Sequence, residues 1–142
     1  MSDPVHDLTL LVSSMEPVLN EGVYVYSAVP PETDLNSIQL IATFREREGL
    51  TIIASESEAL KAGLPILFRA AWITLTVKSD LQSVGLTAVF SSALGNAGIS
   101  CNVMAGAYHD HIFVPAERAE EAMSVLRFLQ LKAARQSGRQ GK

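Results

Sequence analysis

The sequence predicts an α+β fold in which helices pack on one face of an antiparallel sheet. Residues 68–77 give the strongest strand signal, because polar or aromatic side chains alternate there with aliphatic ones. A helical pattern follows over 84–96, then strand patterns at 99–104 and 111–114, and a second helical pattern over about 115–132. The order strand, helix, strand, strand, helix is most of a ferredoxin-like β-α-β-β-α-β unit without its final strand.

The two helices of this unit have apolar faces and recognisable ends. Gly95 and Gly98 end the first helix, and Pro115 begins the second, whose early turns are acidic as the helix dipole favours. A tight turn near 106–110 joins the two strands. The side chains that would face the sheet are Val84, Leu86, Ala88, Val89, Ala93 and Leu94 in the first helix and Ala119, Ala122, Met123, Val125, Leu126 and Leu129 in the second.

The N-terminal part predicts two short helices around a small group of strands. An apolar stripe predicts a helix over 6–15, which Pro17 ends. Strand patterns predict a three-strand meander at 22–28, 38–44 and 50–54. The charged segment 45–49 is the tip of its hairpin. A second helix begins within 55–58, where either Ser55 or Ser57 can cap it, and runs to Lys61.

These elements divide the chain into two halves, 1–69 and 70–135, with 136–142 as a disordered tail. The C-terminal half lacks a final strand after its last helix, and the N-terminal meander has strands to supply. We therefore expect the halves to interleave and share strands, so that neither is a separable domain.

Composition excludes several classes of partner. The chain has 142 residues, of which 48% are hydrophobic, enough to bury a core. Only 18% are charged and the net charge is −4, which disfavours binding to nucleic acid or to an anionic membrane surface. Basic residues concentrate only in the tail, which we interpret as solvated, with nucleic-acid contact as the weaker alternative: Lys132, Arg135, Arg139 and Lys142.

The sequence predicts a cytoplasmic protein. Residues 1–6 lack the basic and apolar segments of a leader, and no run of about 18 apolar residues is present. The one cysteine, Cys101, can form neither an internal disulfide nor a multi-cysteine zinc site. A reducing compartment is therefore expected.

The segment 78–86 joins a strand to the N-terminus of a helix, where free peptide N–H groups stabilise an anion. Gly85 lets a ligand approach this backbone without a Cβ in the way. An amino acid also needs an acceptor for its ammonium group. Asp110 or the side-chain oxygen of Asn102 can supply it if the following strand pair lies beside the loop.

Three segments resemble the ligand-sensing half of an ACT domain: Ser83-Val84-Gly85-Leu86, Gly98-Ile99-Ser100-Cys101-Asn102-Val103, and Tyr108-His109-Asp110-His111-Ile112-Phe113-Val114. The resemblance extends back through 44–51 to a family of small, stand-alone ACT-like proteins. It implies a homodimer that binds an amino acid at an interface between modules. The residues it carries over to ligand contact are Ser83, Val84, Gly85 and Leu86 in the loop and Ile99, Cys101 and Asn102 on the strand.

Structural alternatives exist for each of these residues. Gly85 also allows a helix to pack closely on the sheet, and Ser83 also suits a simple helix cap. Asn102 in a strand fits an interface as well as a ligand site, because a buried amide needs partners on both sides.

Metal and catalytic interpretations are weaker. His109 and His111 share a face of an extended strand, but two ligands do not make a metal site, so a hairpin turn is the preferred interpretation. Cys101 in an apolar strand is expected to be inert rather than nucleophilic. Glu46 and Glu48 at a hairpin tip are expected to be solvated rather than acid and base catalysts. No cofactor motif is present, and we expect no cofactor and no enzymatic activity.

Three hypotheses follow. The first is a regulatory sensor that binds an amino acid or a related metabolite and changes how its modules or subunits pack. The second is a ligand-free oligomerisation or protein-interaction module that uses exposed sheet edges. The third and weakest is an enzyme that uses His109 or His111.

Overall fold

The structure is a computed structural model that describes residues 4–76 and 84–140. Its helices are α1 (Pro4–Ser14), α2 (Glu56–Lys61), α3 (Leu86–Asn96) and α4 (Ala119–Gln140), the last preceded by a 3-10 turn (Ala116–Arg118). Its strands are β1 (Pro17–Leu19), β2 (Tyr24–Val29), β3 (Leu40–Arg45), β4 (Leu50–Ser55), β5 (Phe68–Leu75), β6 (Asn102–Ala105) and β7 (Asp110–Pro115). The described helices include none long and apolar enough to cross a membrane.

The strands form one antiparallel sheet in the order β3-β4-β2-β5-β7-β6, with β1 also paired to β5. Strands β1 and β2 lie end to end along the same side of β5: Leu19 pairs with Ile73, and Tyr24 pairs with Ala70. Together they occupy the place of the strand that the C-terminal unit lacks. Strand β5 straddles the expected boundary between residues 69 and 70, so the sheet is continuous across it.

Two expectations about the N-terminal strands were wrong. Strand β1 was missed, since Pro17 was interpreted only as the end of the helix, whereas the strand forms by backbone pairing with β5. The three later strands are not a meander, because β4 lies between β2 and β3. The tight turn at 46–49 forces β3 onto β4, whereas the long connection over 30–39 allows the chain to place β3 on the far side.

Helices α1, α3 and α4 cover one face of the sheet, as predicted. The largest side chains buried between them and the strands are Met15, Ile73, Leu75, Phe90, Leu94, Ile112 and Leu126. A smaller cluster around Val29, Ile52 and Ala54 lies on the same face of the sheet, over strands β2 and β4. Burying this much aliphatic surface is the main source of the fold's stability.

Helix α4 continues to Gln140 instead of ending near Lys132, so most of the expected tail over 136–142 is helical. The reason is tertiary: α1 packs beside α4 and buries Ala133, which is 6% exposed. The side-chain amide of Gln130 also donates to the carbonyl of Ser13 at 3.3 Å, at the end of α1. Sequence pattern alone gives no sign of this contact, since the partner lies at the other end of the chain.

The face without helices curls into a concave surface. Ala42 of β3 and Met104 of β6 lie on opposite edge strands, yet both pack on a cluster that contains Ile53, Ala70 and Phe113. Those three side chains are at most 1% exposed. Curling therefore buries apolar groups that a flat sheet would leave in water.

Candidate functional site

Gly85 is the residue at which the chain enters α3. Its φ is +101°, a left-handed conformation that residues with a side chain rarely adopt, and Gly85 itself has no side chain to cap the helix. A Cβ on Gly85 would lie 3.0 Å from Cδ2 of Leu8, so α1 covers this turn from one side. Val84, immediately before it, is 90% exposed. Ser83 falls outside the described residues.

Leu86 and Ile99 belong to the core on the helical face, each with 2% exposure. The amide of Ile99 donates to the carbonyl of Leu94 at 2.9 Å and closes the end of α3. The side chains of these two residues therefore hold α3 against the sheet. A ligand near α3 would meet the backbone at Leu86 rather than its side chain.

Asp110 begins β7 and is 8% exposed. Burial raises the pKa of its carboxyl group, and the neighbouring His111 acts weakly in the opposite direction. Its side chain makes no hydrogen bond or ion pair with any residue that the structure describes. Its oxygens are not among the fully buried side-chain atoms that lack a hydrogen-bond partner, so the carboxyl group reaches the surface. A carboxyl group with a raised pKa in such a place is common at binding sites.

The strand register separates the two candidate acceptors for an ammonium group. Asp110 lies opposite Leu75, the last residue of β5, from which the chain leads to Gly85. Asn102 lies opposite Phe113, further back along the sheet, and is exposed. Alternation along the strands places Asp110 on the helical face and Asn102 on the concave face. Of the two, only Asp110 shares the end and the face of the sheet with the turn at Gly85.

Cys101 is half-buried against the helical core. Burial raises the pKa of its thiol from the ordinary 9.0 to about 11. At neutral pH the group is therefore a thiol and not a thiolate, which is the nucleophilic form.

The His109-Asp110-His111 segment does not gather metal ligands. Within the ranges 4–76 and 84–140, no three His, Cys, Asp or Glu side chains lie together in a way that could hold a metal ion. His111 instead accepts a hydrogen bond at Nδ1 from the indole Nε1 of Trp72 at 3.0 Å. Burial, followed by the nearby His109, lowers the pKa of His111, while Asp110 opposes them.

Sequence reasoning missed the cleft on the concave face. A space of about 260 Å³ lies between the two edge strands, and its walls include Ile41, Ala42, Trp72, Met104, His111 and Phe113. Alternation already placed Trp72 on one face of β5. Alternation does not predict the register between β5 and β7. In the structure this register puts Trp72 opposite Phe113 and Thr74 opposite His111.

Comparison with known proteins agrees with the fold. Residues 3–71 match one family model described as an ACT domain, and residues 67–127 match a second model of the same description. The chain belongs to the ACT-domain family. The predicted resemblance and the predicted α+β, ferredoxin-like ACT fold are thereby confirmed. No curated protein sequence matches the chain.

Several solved structures resemble this one to different degrees. A protein of unknown function from Vibrio cholerae, described as a possible transport protein, is 45% identical with a TM-score of 0.82, covering 90% of this chain and 99% of that one. The regulatory subunit of aspartate kinase from Thermus flavus is 11% identical with a TM-score of 0.60, covering 80% and 96%. Aspartokinase III of E. coli, solved with aspartate and ADP, is 11% identical with a TM-score of 0.62, covering 81% and 33%. The two kinases share the fold alone.

Proposed function

We propose that this ACT protein is a noncatalytic regulator that binds a free amino acid between the N-terminus of α3 and the start of β7. The observation that carries this proposal is Asp110. The residue is 8% exposed, its carboxyl oxygens have no described partner and are not fully enclosed, and it lies on the face and at the end of the sheet where the chain leads into α3. An ammonium group placed there would neutralise a charge that is otherwise costly to bury.

The carboxylate of the ligand would lie at the first turn of α3. The peptide N–H groups there point out of the helix and carry partial positive charge. Gly85 keeps the turn free of a Cβ and supplies no side chain that would cap it. The proposed contacts are Ser83, Val84, Gly85, Leu86 and Asp110. The site leaves out three residues that the family resemblance also implies, because Ile99 closes the other end of α3, and Cys101 and Asn102 lie at the end of β6 away from Asp110.

The proposed mechanism is a shift in how the two halves pack. Leu8 lies on α1 in the segment 3–71, whereas Gly85 lies on the turn into α3 in the segment 67–127. Because the Leu8 side chain reaches the space that a ligand beside Gly85 would use, binding displaces it and favours a different packing of α1 on α3. The ligand shifts this equilibrium only by its difference in affinity for the two arrangements. The regulatory role of the aspartate kinase relatives is consistent with such a device.

A thermal-shift screen of the twenty amino acids tests the proposal. A ligand at about 100 times its dissociation constant adds about 2.7 kcal/mol to the free energy of unfolding, which raises the melting temperature by several degrees. The Asp110→Asn variant should lose this shift. The control Glu120→Gln removes the same charge from an exposed position on α4 and should keep it. The proposal fails if no amino acid shifts the wild type, or if Asp110→Asn retains the full shift.

The second candidate function is self-association into a homodimer, which does not require the proposed ligand. Phe128 and Leu131 are 69% and 58% exposed and lie three residues apart on the outer surface of α4. Large apolar side chains in such an arrangement are typical of subunit contacts. Sedimentation of Phe128→Glu beside Arg127→Glu, a change at the adjacent exposed position, tests this contact. Only the first should lower the mass if α4 forms the interface.

A further inference from the structure

The concave face of the sheet has the construction of a second binding site. Its cleft of about 260 Å³ lies between β3 and β6, which are the two edges of the sheet. The rings of Trp72 and Phe113 form its floor and lie nearly parallel, with 20° between their planes and 6.1 Å between centroids. Ala42 and Met104 stand on opposite walls. Flat rings with a thioether beside them are well suited to hold another flat ring.

The imidazole of His111, a polar group in the cleft, is oriented by hydrogen bonds. Trp72 Nε1 donates to His111 Nδ1 at 3.0 Å, and the hydroxyl of Thr74 lies 3.2 Å from the same nitrogen. The side-chain amide of Asn20 donates to this hydroxyl at 3.0 Å and so holds it in place. An indole N–H only donates, so Nδ1 must accept and the proton of the neutral imidazole is on Nε2.

The Nε2 donor of His111 is left for a ligand. It makes no hydrogen bond with any residue in the described part of the chain. Gly106 lies beside it, and a Cβ there would come within 3.4 Å of Nε2 and 2.9 Å of the carbonyl oxygen of His109. A glycine at this position therefore keeps the space next to the donor open.

The lining determines the class of ligand. Its described residues include no Asp, Glu, Lys or Arg, so a charged group brought against them would lose its hydration without compensation. The volume lies below the range of about 300–1,000 Å³ typical of sites for drug-sized molecules, which favours a single ring. We propose that the cleft binds a neutral, planar heteroaromatic ring that presents a carbonyl oxygen or ring nitrogen to His111 Nε2. This site is distinct from the proposed amino-acid site, because the two lie on opposite faces of the sheet.

The test uses nicotinamide, which carries both kinds of acceptor, and toluene, a ring of similar size without one. Trp72 is the one tryptophan of the sequence, so its fluorescence reports on the cleft directly. Nicotinamide should bind with a dissociation constant at or below about 1 mM, measured by calorimetry alongside the fluorescence change. It should also shift the Nε2 resonance of His111, and toluene should bind about tenfold more weakly for lack of the hydrogen bond.

Variants separate this site from nonspecific binding. Ala42→Leu fills the cleft and should abolish nicotinamide binding, whereas Thr43→Leu, at the next and exposed residue of β3, should leave it unchanged. His111→Phe should weaken nicotinamide about tenfold and leave toluene unaffected, and His111→Gln, which retains a donor and an acceptor, should weaken it less.

Three results would overturn the proposal. The first is no Trp72 response to either compound in the wild type. The second is equal nicotinamide binding by Ala42→Leu and Thr43→Leu. The third is a Trp72 emission shift that follows protein concentration and the appearance of dimers, which would show that a second copy of the chain covers the cleft. Far-ultraviolet circular dichroism of each variant establishes that it is folded.

Discussion

Leu8 of α1 lies over Gly85, the residue immediately before α3, with 3.0 Å between the Cδ2 atom of Leu8 and the position that a Cβ on Gly85 would take. This contact joins the first helix of the chain to the turn that the proposed ligand would occupy. Gly85 thus has two structural roles besides any ligand role: it adopts φ +101°, and it leaves room for Leu8.

Replacing Gly85 with alanine should destabilise the protein by about 1–3 kcal/mol, because a Cβ is strained at this φ and also crowds Leu8. Denaturant unfolding monitored by circular dichroism measures the effect. The control is Gly95→Ala in the same helix, where a Cβ meets nothing within 4 Å and φ is not positive. That change should stabilise by about 0.5–1 kcal/mol. Equal effects of the two substitutions would contradict this account of Gly85.

Asp110→Asn should gain stability relative to the wild type as pH rises. Burial raises the pKa of Asp110 above its ordinary 3.8, so in the wild type the folded state holds this proton to a higher pH than the unfolded state does. The stabilising contribution is present in acid and is lost as pH rises from about 4 through the folded pKa, and the amide cannot titrate.

Free energies of unfolding at pH 3.5, 5 and 7 test this prediction for Asp110. The difference between variant and wild type should grow across the series. The exposed Glu120→Gln change should show little of this trend. A variant that is less stable than the wild type at pH 7 would show that Asp110 has a stabilising partner.

Cys101 should react slowly with iodoacetamide at neutral pH. Its pKa of about 11 leaves a very small thiolate fraction at pH 8, so the rate should rise about tenfold per pH unit and level off only near pH 11. Mass spectrometry of the folded protein across pH 7–11 measures this, and the same reaction in denaturant should level off near pH 9. A plateau below pH 9 in the folded protein would indicate an activated thiol and would favour the enzymatic hypothesis.

Arg118→Ala should lower the free energy of unfolding measurably, as seen in a lower midpoint of chemical denaturation. The guanidinium donates to the carbonyl oxygens of Ala97 and Gly98, both at 3.3 Å, just beyond the end of α3, and pairs with Glu121 at 2.7 Å. Arg118→Lys should recover only part of the loss, because one ammonium group cannot span both carbonyls. Arg127→Ala, at an exposed position of α4, serves as the control and should change stability by less than about 0.5 kcal/mol. An Arg118→Ala effect as small as this control would mean that these bonds contribute nothing.

Elements with strong local signals were predictable, and elements that depend on distant partners were not. Strand β5 follows from alternation, and α2 follows from its cap, since Ser55 accepts from the amide of Glu58. Strand β1 has three residues and no pattern of its own, and it exists because β5 is there to pair with it. The C-terminal half of α4 is polar in sequence, and its packing against α1 extends it.

The candidate residues divide in the same way. Gly85 and Asp110 could be selected from the sequence, because a glycine at a strand-to-helix turn and a carboxylate at a strand end are both local sequence features. Choosing Asp110 over Asn102 required the register, which puts only the first at the end of β5. Identifying Trp72 and His111 as a pair required both the strand register and the hydrogen bond between their rings.

By itself, the sequence determined the class of fold, the family, and the order of the helices and most strands, because periodic burial and turn residues act over a few positions. The tertiary structure decided which strands are neighbours, how far α4 extends, and that residues of both edge strands line one cleft together with Trp72. Those outcomes depend on contacts between residues far apart in the chain, and no local pattern specifies them.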